Sequence, residues 1–198
     1  MACLDPVRLT GELVTLEPLG PEHHDALVAA ASDGRLWEHW YTAVPSPDGM
    51  AADIELRLAM QAAGTMLPFV VRRLSDGVVV GETTYCNVEA EVPRVEVGYT
   101  WTAASAQRTG VNAESKLLLL TYAFEELGCL AVEFRTHWHN LQSRTAIARL
   151  GAKQDGVLRN HRRMPDGSLR DTVVFSILDT EWPAVRNGLL LRLARAGG

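Results

Sequence analysis

The stretch VGYTWTAASAQRTGVNAESKLLLLTYAFEELG, residues 97–128, decides how this chain is read. It opens as the end of a strand (Gly98, Tyr99, Thr100, Trp101, Thr102), turns through Gln107, Arg108, Thr109, Gly110, Val111 and Asn112, and enters a leucine-rich helical run closed by Gly128. A tight glycine-containing turn feeding a helix leaves several backbone N–H groups unpaired and aimed at one spot, where the helix dipole favours negative charge. Such a turn suits a phosphate or pyrophosphate. It has neither the GxxxxGK[ST] of a P-loop nor the three glycines of a dinucleotide-binding fold.

Working outward, residues 12–18 alternate Leu13, Thr15 and Glu17 against Val14 and Leu16, as a strand does, and Pro21 starts a helix through Ser32. Residues 36–47, with Trp37, Trp40, Tyr41 and two prolines, read as an irregular loop, whereas 48–63 has helical spacing. Three runs, 66–74, 78–89 and 94–102, are separated by turn residues and read as an antiparallel meander. Beyond the glycine turn, a helix over 113–127 and a strand over 131–137 form a crossover, whose flanking strands should be parallel. Asn140 caps a helix over 141–150 that ends at Gly151; two strands then flank the PDG turn at 165–167, and residues 182–196 read as a helical tail. The expected architecture is α+β: one domain over 1–198 with its core at about 10–180, built on a mixed, twisted sheet of about seven strands flanked by helices.

With 198 residues, 47% of them hydrophobic, the chain can bury one substantial core. Its net charge of -5 argues against nucleic acid as a partner, since such proteins usually carry a basic balance. Cys3, Cys86 and Cys129 have no CxxC spacing and read as reduced thiols rather than as disulfides or zinc ligands. No stretch reaches the ~18 apolar residues that span a bilayer, and the N-terminus has no basic region followed by an apolar one. The expectation is a cytoplasmic enzyme without a membrane partner.

Residues 107–112, with Glu96 to Tyr99 upstream and Asn140, Ser143, Leu150, Gly151 and Ala152 downstream, resemble the GNAT acyltransferase superfamily, and within it the branch of the ribosomal-protein N-terminal acetyltransferases. The family pattern is an E[IV]GY strand, a QxxGxG or QxxGxA turn, and an NxxS that starts a helix ending in LGF or LGA. All three pieces occur here in order. Asn112 departs from the pattern, standing where glycine or alanine is usual, so its side chain must point away from the pyrophosphate or touch it.

The resemblance implies acetyl coenzyme A as co-substrate and no metal. It places the pantetheine arm along the main chain of Thr100, Trp101 and Thr102, at a bulge, and the pyrophosphate on Gln107, Arg108, Thr109, Gly110, Val111, Asn112 and Ala113. Glu96 takes the role of general base; a plain strand glutamate paired with Arg94 or Arg72 is the alternative. Asn140 holds the pantetheine arm, or serves simply as a helix cap, and Ser143 gives a proton to the leaving thiolate. Trp37, Glu38, Trp40 and Tyr41 belong to the segment that covers the acceptor pocket, where aromatic faces favour a cationic amine, Glu38 selects positive charge, or the rings only pack the helices on the sheet. His137 is a second candidate base, and His137 with His139 lacks the third ligand that zinc needs.

The implied activity is transfer of an acetyl group to a primary amine on a small molecule, peptide or protein N-terminus, by direct attack in a ternary complex with no cysteine nucleophile. A coenzyme-A-binding sensing module that has lost turnover is the alternative. The family and the apolar tail also allow a homodimer.

Overall fold

A computed structural model describes residues 5–196; Cys3 lies outside them. The strands are β1 (Leu9–Thr10), β2 (Val14–Pro18), β3 (Met66–Arg73), β4 (Val79–Glu89), β5 (Arg94–Thr102), β6 (Ala131–His137), β7 (Lys153–Arg163) and β8 (Leu169–Leu178). They form one sheet in the order β1-β2-β3-β4-β5-β6-β8-β7. The sheet has eight strands where about seven were expected, because the chain ahead of β2 folds back as the two-residue β1. Every neighbouring pair is antiparallel except β5 and β6, joined by the crossover that the glycine turn and its helix predict.

The helices are α1 (His24–Ser32), α2 (Met50–Ala62), α3 (Val111–Thr121), α4 (Leu141–Leu150) and α5 (Trp182–Ala196). Thr84 and Tyr85 are consecutive on β4 and so point to opposite faces of the sheet. Arg57 of α2 reaches Thr84, while the Tyr85 hydroxyl donates to the Leu119 carbonyl of α3. The two helices therefore cover opposite faces, with α1 packed beside α2 and α5 laid against α3. Between the layers, Leu16, Phe69, Tyr85, Leu119, Phe134 and Ile177 are almost wholly buried, and each such side chain contributes roughly 1.5–3 kcal/mol of hydrophobic stabilisation.

The helix over 113–127 is really two pieces. α3 begins earlier, at Val111, and from Tyr122 to Glu126 the coil widens so that Leu127 N–H donates five residues back to Tyr122. In this wide turn Phe124 stacks on Trp182 at 5.5 Å and Glu125 accepts from the Trp182 indole at 2.8 Å, so it seats the start of α5. The tail is helical as expected, but Leu189 is buried inside the protein, and Leu190 and Leu191 are the exposed large hydrophobics among its described side chains. Less of its apolar surface is available for a second copy than the sequence suggested.

Candidate functional site

The site is built where the sheet fails to close. β5 and β6 pair only through Arg94, Val95 and Glu96 against Ala131, Val132 and Glu133. Beyond that rung β5 runs on to Thr102 and β6 to His137 without pairing, so both inner edges present unpaired backbone groups to a wedge. The cause is a bulge in β5. Its register against β4 goes from Thr84–Gly98 to Glu82–Trp101, so Tyr99 and Thr100 together stand opposite Thr83, and Tyr99 takes a left-handed φ of 50°. The expected bulge is present at Tyr99 and Thr100, overlapping the first residue of the Thr100–Thr102 stretch assigned by resemblance.

Two devices hold the bulge, and the sequence announced neither. Gly81 lies so close to β5 that a Cβ there would stand 2.2 Å from the Trp101 carbonyl oxygen. From the α3 side, Lys116 is buried and donates to Thr100 Oγ1 at 2.8 Å and Thr83 Oγ1 at 3.1 Å, while the two hydroxyls are 2.8 Å apart. No carboxylate partners it among the described residues, and burial pushes its pKa down to about 7. The only hint in sequence was a lysine on an otherwise apolar helix face.

At the mouth of the wedge, Gly110 has a φ of 89° and turns the chain into α3 with no side-chain cap. The first amides of the helix, Gly110 to Ala113, therefore have no partner within it and converge where an anion would sit. The Asn112 side chain is half-buried and bonded to no described residue. The Gln107 amide is committed to structure, donating to the Thr102 carbonyl at 3.0 Å and accepting from Gln142 at 3.2 Å, and the Thr109 hydroxyl donates to the Ala106 carbonyl. Arg108 takes a left-handed φ of 64°. Trp101 is turned inward, its indole donating to Glu82 at 3.0 Å. The Glu114 carboxylate on the first turn of α3 accepts from the amides of Glu12, Leu13 and Val14, which locks the helix start to the β1–β2 turn.

Glu96 sits on the last paired rung, 7% exposed. Asn87 donates to its carboxylate at 2.6 Å and Arg135 lies 3.5 Å away. Burial raises its pKa, against the Asn87 hydrogen bond and the Arg135 charge that lower it, and Glu133 adds to the rise. Neither Arg94 nor Arg72 holds Glu96: Arg94 pairs with Glu133 and Arg72 with Glu17. Gly98 leaves room for this carboxylate, since a Cβ there would be 3.0 Å from Glu96 Oε1.

On the other side of the wedge, Asn140 caps α4 as expected, its Oδ1 accepting from Ser143 N–H at 2.9 Å. The half-buried Ser143 hydroxyl donates to no described residue. His137 is buried, with Nδ1 accepting from the His139 N–H at 3.1 Å. That bond puts the proton on Nε2, which has no partner among the described residues. Burial, with Arg170 and His139 nearby, lowers the His137 pKa, so the ring is neutral near pH 7 and offers a donor there rather than a base. Trp40 crosses it edge-on at 5.0 Å and reaches His139 at 5.6 Å.

Of the other loop residues, Tyr41 packs edge-on against Trp40 at 5.6 Å, and Trp37 packs against the core. Glu38 is exposed and ion-paired with Arg35, so its charge is already matched within the loop. Burial pushes the Cys86 thiol up to about 12 and the Cys129 thiol up to about 11, which keeps both protonated and poor nucleophiles. Among the described residues, no helix is long and apolar enough to cross a membrane and no group of three His, Cys, Asp or Glu side chains could hold a metal ion.

A split parallel pair, a bulge at the split and an uncapped helix start beside it define an acyltransferase-type fold, and comparison with known proteins agrees. The profile of the acetyltransferase (GNAT) domain matches residues 14–153, more than half of the chain, and the chain belongs to that family. YdaF of Bacillus subtilis (strain 168), assigned as a ribosomal N-acetyltransferase, is 31% identical over 109 residues, covering 55% of this chain and 58% of that relative. A GCN5-related N-acetyltransferase from Brucella melitensis is 28% identical with a TM-score of 0.84, covering 97% of this chain and 87% of that one. RimJ of Mycobacterium smegmatis, solved in complex with CoA-disulfide, shares the fold at 23% identity and a TM-score of 0.77, over 95% of this chain and 93% of that one.

Proposed function

We propose that this chain transfers an acetyl group from acetyl coenzyme A to a primary amine by direct attack in a ternary complex. The observation that carries this reading is the wedge between β5 and β6, with the uncapped start of α3 at its mouth and Glu96 at its closed end. The pyrophosphate sits on the amides of Gly110 to Ala113, and the pantetheine arm runs along the unpaired edge of β5 past Thr100, Trp101 and Thr102, making strand-like hydrogen bonds. RimJ, a protein of this fold, binds a form of coenzyme A.

The thioester then lies near the rung of Glu96. A carboxylate whose pKa is raised by burial is suited to take the proton of an ammonium or of the attacking amine, directly or through water. The attacking nitrogen adds to the carbonyl carbon, the C–S bond breaks, and the thiolate takes a proton; the unpartnered Ser143 hydroxyl is the donor assigned to that step. Asn140 caps α4 and carries its Nδ2 toward the arm, while Trp40 and Tyr41 wall the acceptor. YdaF, assigned as a ribosomal N-acetyltransferase, supports an amine of a protein as one acceptor, a protein N-terminus among them, alongside small amines and peptides.

The test is thermal stability of the purified chain with acetyl coenzyme A, coenzyme A, ATP or NADH, followed in the same samples by thiol release with a panel of amines. A shift confined to the coenzyme A pair, with thiol release, is the expected result. A shift without release for any amine favours a binding module without turnover, and no shift defeats the assignment of the α3 turn.

A further inference from the structure

The face of the sheet that carries Glu96 holds more arginine than its carboxylates can match. Arg94 and Arg135 both pair with Glu133, and Arg135 also approaches Glu96. Arg162 on β7 and Arg170 on β8 are register partners on the neighbouring hairpin, and neither has an ion pair with a described carboxylate. Arg170 is half-buried, yet its only side-chain hydrogen bond among the described residues runs from Nε to Thr172 Oγ1 at 3.0 Å, which leaves the two terminal nitrogens of the guanidinium without a described acceptor. Burial and the charge of Arg162 both act against the charged form of Arg170, and Glu96 and Tyr99 lie near enough to favour it. Arg162 likewise lies near enough to Glu96 to stabilise its carboxylate. Two like charges brought together with partial desolvation, neither in a direct ion pair and with Glu96 as their shared nearby carboxylate, are unfavourable, and an incoming anion relieves that cost.

We propose that Arg162 and Arg170 bind a carboxylate on the acceptor, so that the preferred substrate is an amine carrying an acidic group a few bonds from its amino nitrogen, as in a peptide with aspartate or glutamate next to its N-terminal residue. This rests on the reading of Glu96 and the wedge given above. A guanidinium presents a planar fork that fits a carboxylate with two parallel hydrogen bonds, and Arg170 has that fork free. The amino group is directed to Glu96 and the carboxylate to the β7–β8 hairpin, which matches the two charges of the substrate to two sites on one face. The coenzyme's own phosphates are accounted for at the opposite end of β5, on the start of α3.

The experiment uses the full chain saturated with coenzyme A, titrated calorimetrically with two peptides, Ser-Asp-Ala-amide and Ser-Asn-Ala-amide, with acetyl transfer to each followed in parallel. The aspartate peptide is expected to bind about tenfold more tightly or better, and to show the same advantage in kcat/KM. Arg170→Gln and Arg162→Gln should each shrink that ratio several-fold while coenzyme A affinity stays unchanged; Arg162 is exposed, so its replacement tests the idea even where Arg170→Gln folds poorly. Equal binding of the two peptides, no binding of the aspartate peptide to the coenzyme-loaded chain, or a preference that survives both replacements overturns the proposal. So does a loss of coenzyme A affinity in either variant, which would put the arginines on the coenzyme. A wild-type chain that does not bind coenzyme A at all fails earlier, at the reading of the wedge itself.

Discussion

Glu96 on β5 and Glu133 on β6 face each other across the last rung before the two strands part. Two adjacent carboxylates would repel, but Arg94 and Arg135 both pair with Glu133, while Glu96 keeps only the longer 3.5 Å approach of Arg135 and has its pKa raised by burial. One carboxylate is held by two arginines, and its neighbour is the one we propose as the base.

Replacing that available carboxylate should separate binding from turnover. Glu96→Gln is expected to lower kcat by about 100-fold or more, within the range that a positioned base supplies, with coenzyme A affinity preserved. In the wild type, the acid limb of the rate profile should rise through an inflection above the ordinary glutamate range, because the base must be ionised. The stability term has the opposite sign: a carboxyl whose folded pKa is raised stabilises fully below its unfolded pKa, and that stability is lost as pH rises through the folded value. Rate profiles and melts of both proteins from pH 4 to about pH 9 check all three points, and unchanged turnover in the variant sinks the assignment.

Lys116 predicts a stability that depends on pH in the alkaline direction. Its folded pKa of about 7 lies below the ordinary lysine value of 10.5, so the unfolded chain binds the extra proton between those values and stability rises across that window. It is lost again as pH falls through about 7. The slope from this one group approaches about 1.4 kcal/mol per pH unit. Lys116→Met should flatten it, as denaturant titrations at pH 6.5, 8 and 9.5 would show; identical slopes would mean that the ammonium finds water in solution.

Gly81→Ala tests the bulge. The added methyl meets the Trp101 carbonyl oxygen, which is backbone and cannot swing aside, so β4 and β5 must shift. The expected loss is about 1–3 kcal/mol, in the range of overpacked cores, with weaker coenzyme A binding measured on the folded fraction. A variant with native Tm and affinity would show that the bulge adapts freely.

Asn140→Ala removes the acceptor of the Ser143 amide and should cost about 1 kcal/mol as a lost helix cap. A cap alone leaves the KM for acetyl coenzyme A unmoved; a rise of several-fold is expected if the side chain also holds the arm. Ser143→Ala keeps the cap, and a rate loss smaller than a few-fold would remove it as the proton donor.

Much of the fold was legible because local chemistry wrote it. Asn140 and Gly151 bracket α4 at the residues foreseen, and the turn at Gly110 delivered both the parallel crossover and the start of α3. What stayed hidden depends on distant partners. Nothing near Lys116 announces that its ammonium ends between Thr83 and Thr100, and nothing near Arg170 tells that it stands near Glu96 and Arg162 with no direct ion pair to a described carboxylate. His137 looked like a base because histidine titrates near neutrality, until the backbone N–H of His139 was found on its Nδ1. The exposed ion pair of Glu38 with Arg35 was likewise not legible in the sequence.

The Glu114 clamp makes the start of α3, where we place the pyrophosphate, a late product of folding. Three amides of the N-terminal hairpin close on a carboxylate about a hundred residues further along, and Gly11 gives it room, since a Cβ there would lie 2.5 Å from the Glu114 carboxyl carbon. Closing so long a loop costs entropy before it returns any contact, so the amides of α3 take their final aim only once the first strands have docked. A chain growing from its N-terminus holds its half of the clamp in waiting until Glu114 arrives, whereas a fragment that begins after Val14 would carry every residue of the pyrophosphate turn and still lack a fixed place to hold the ligand.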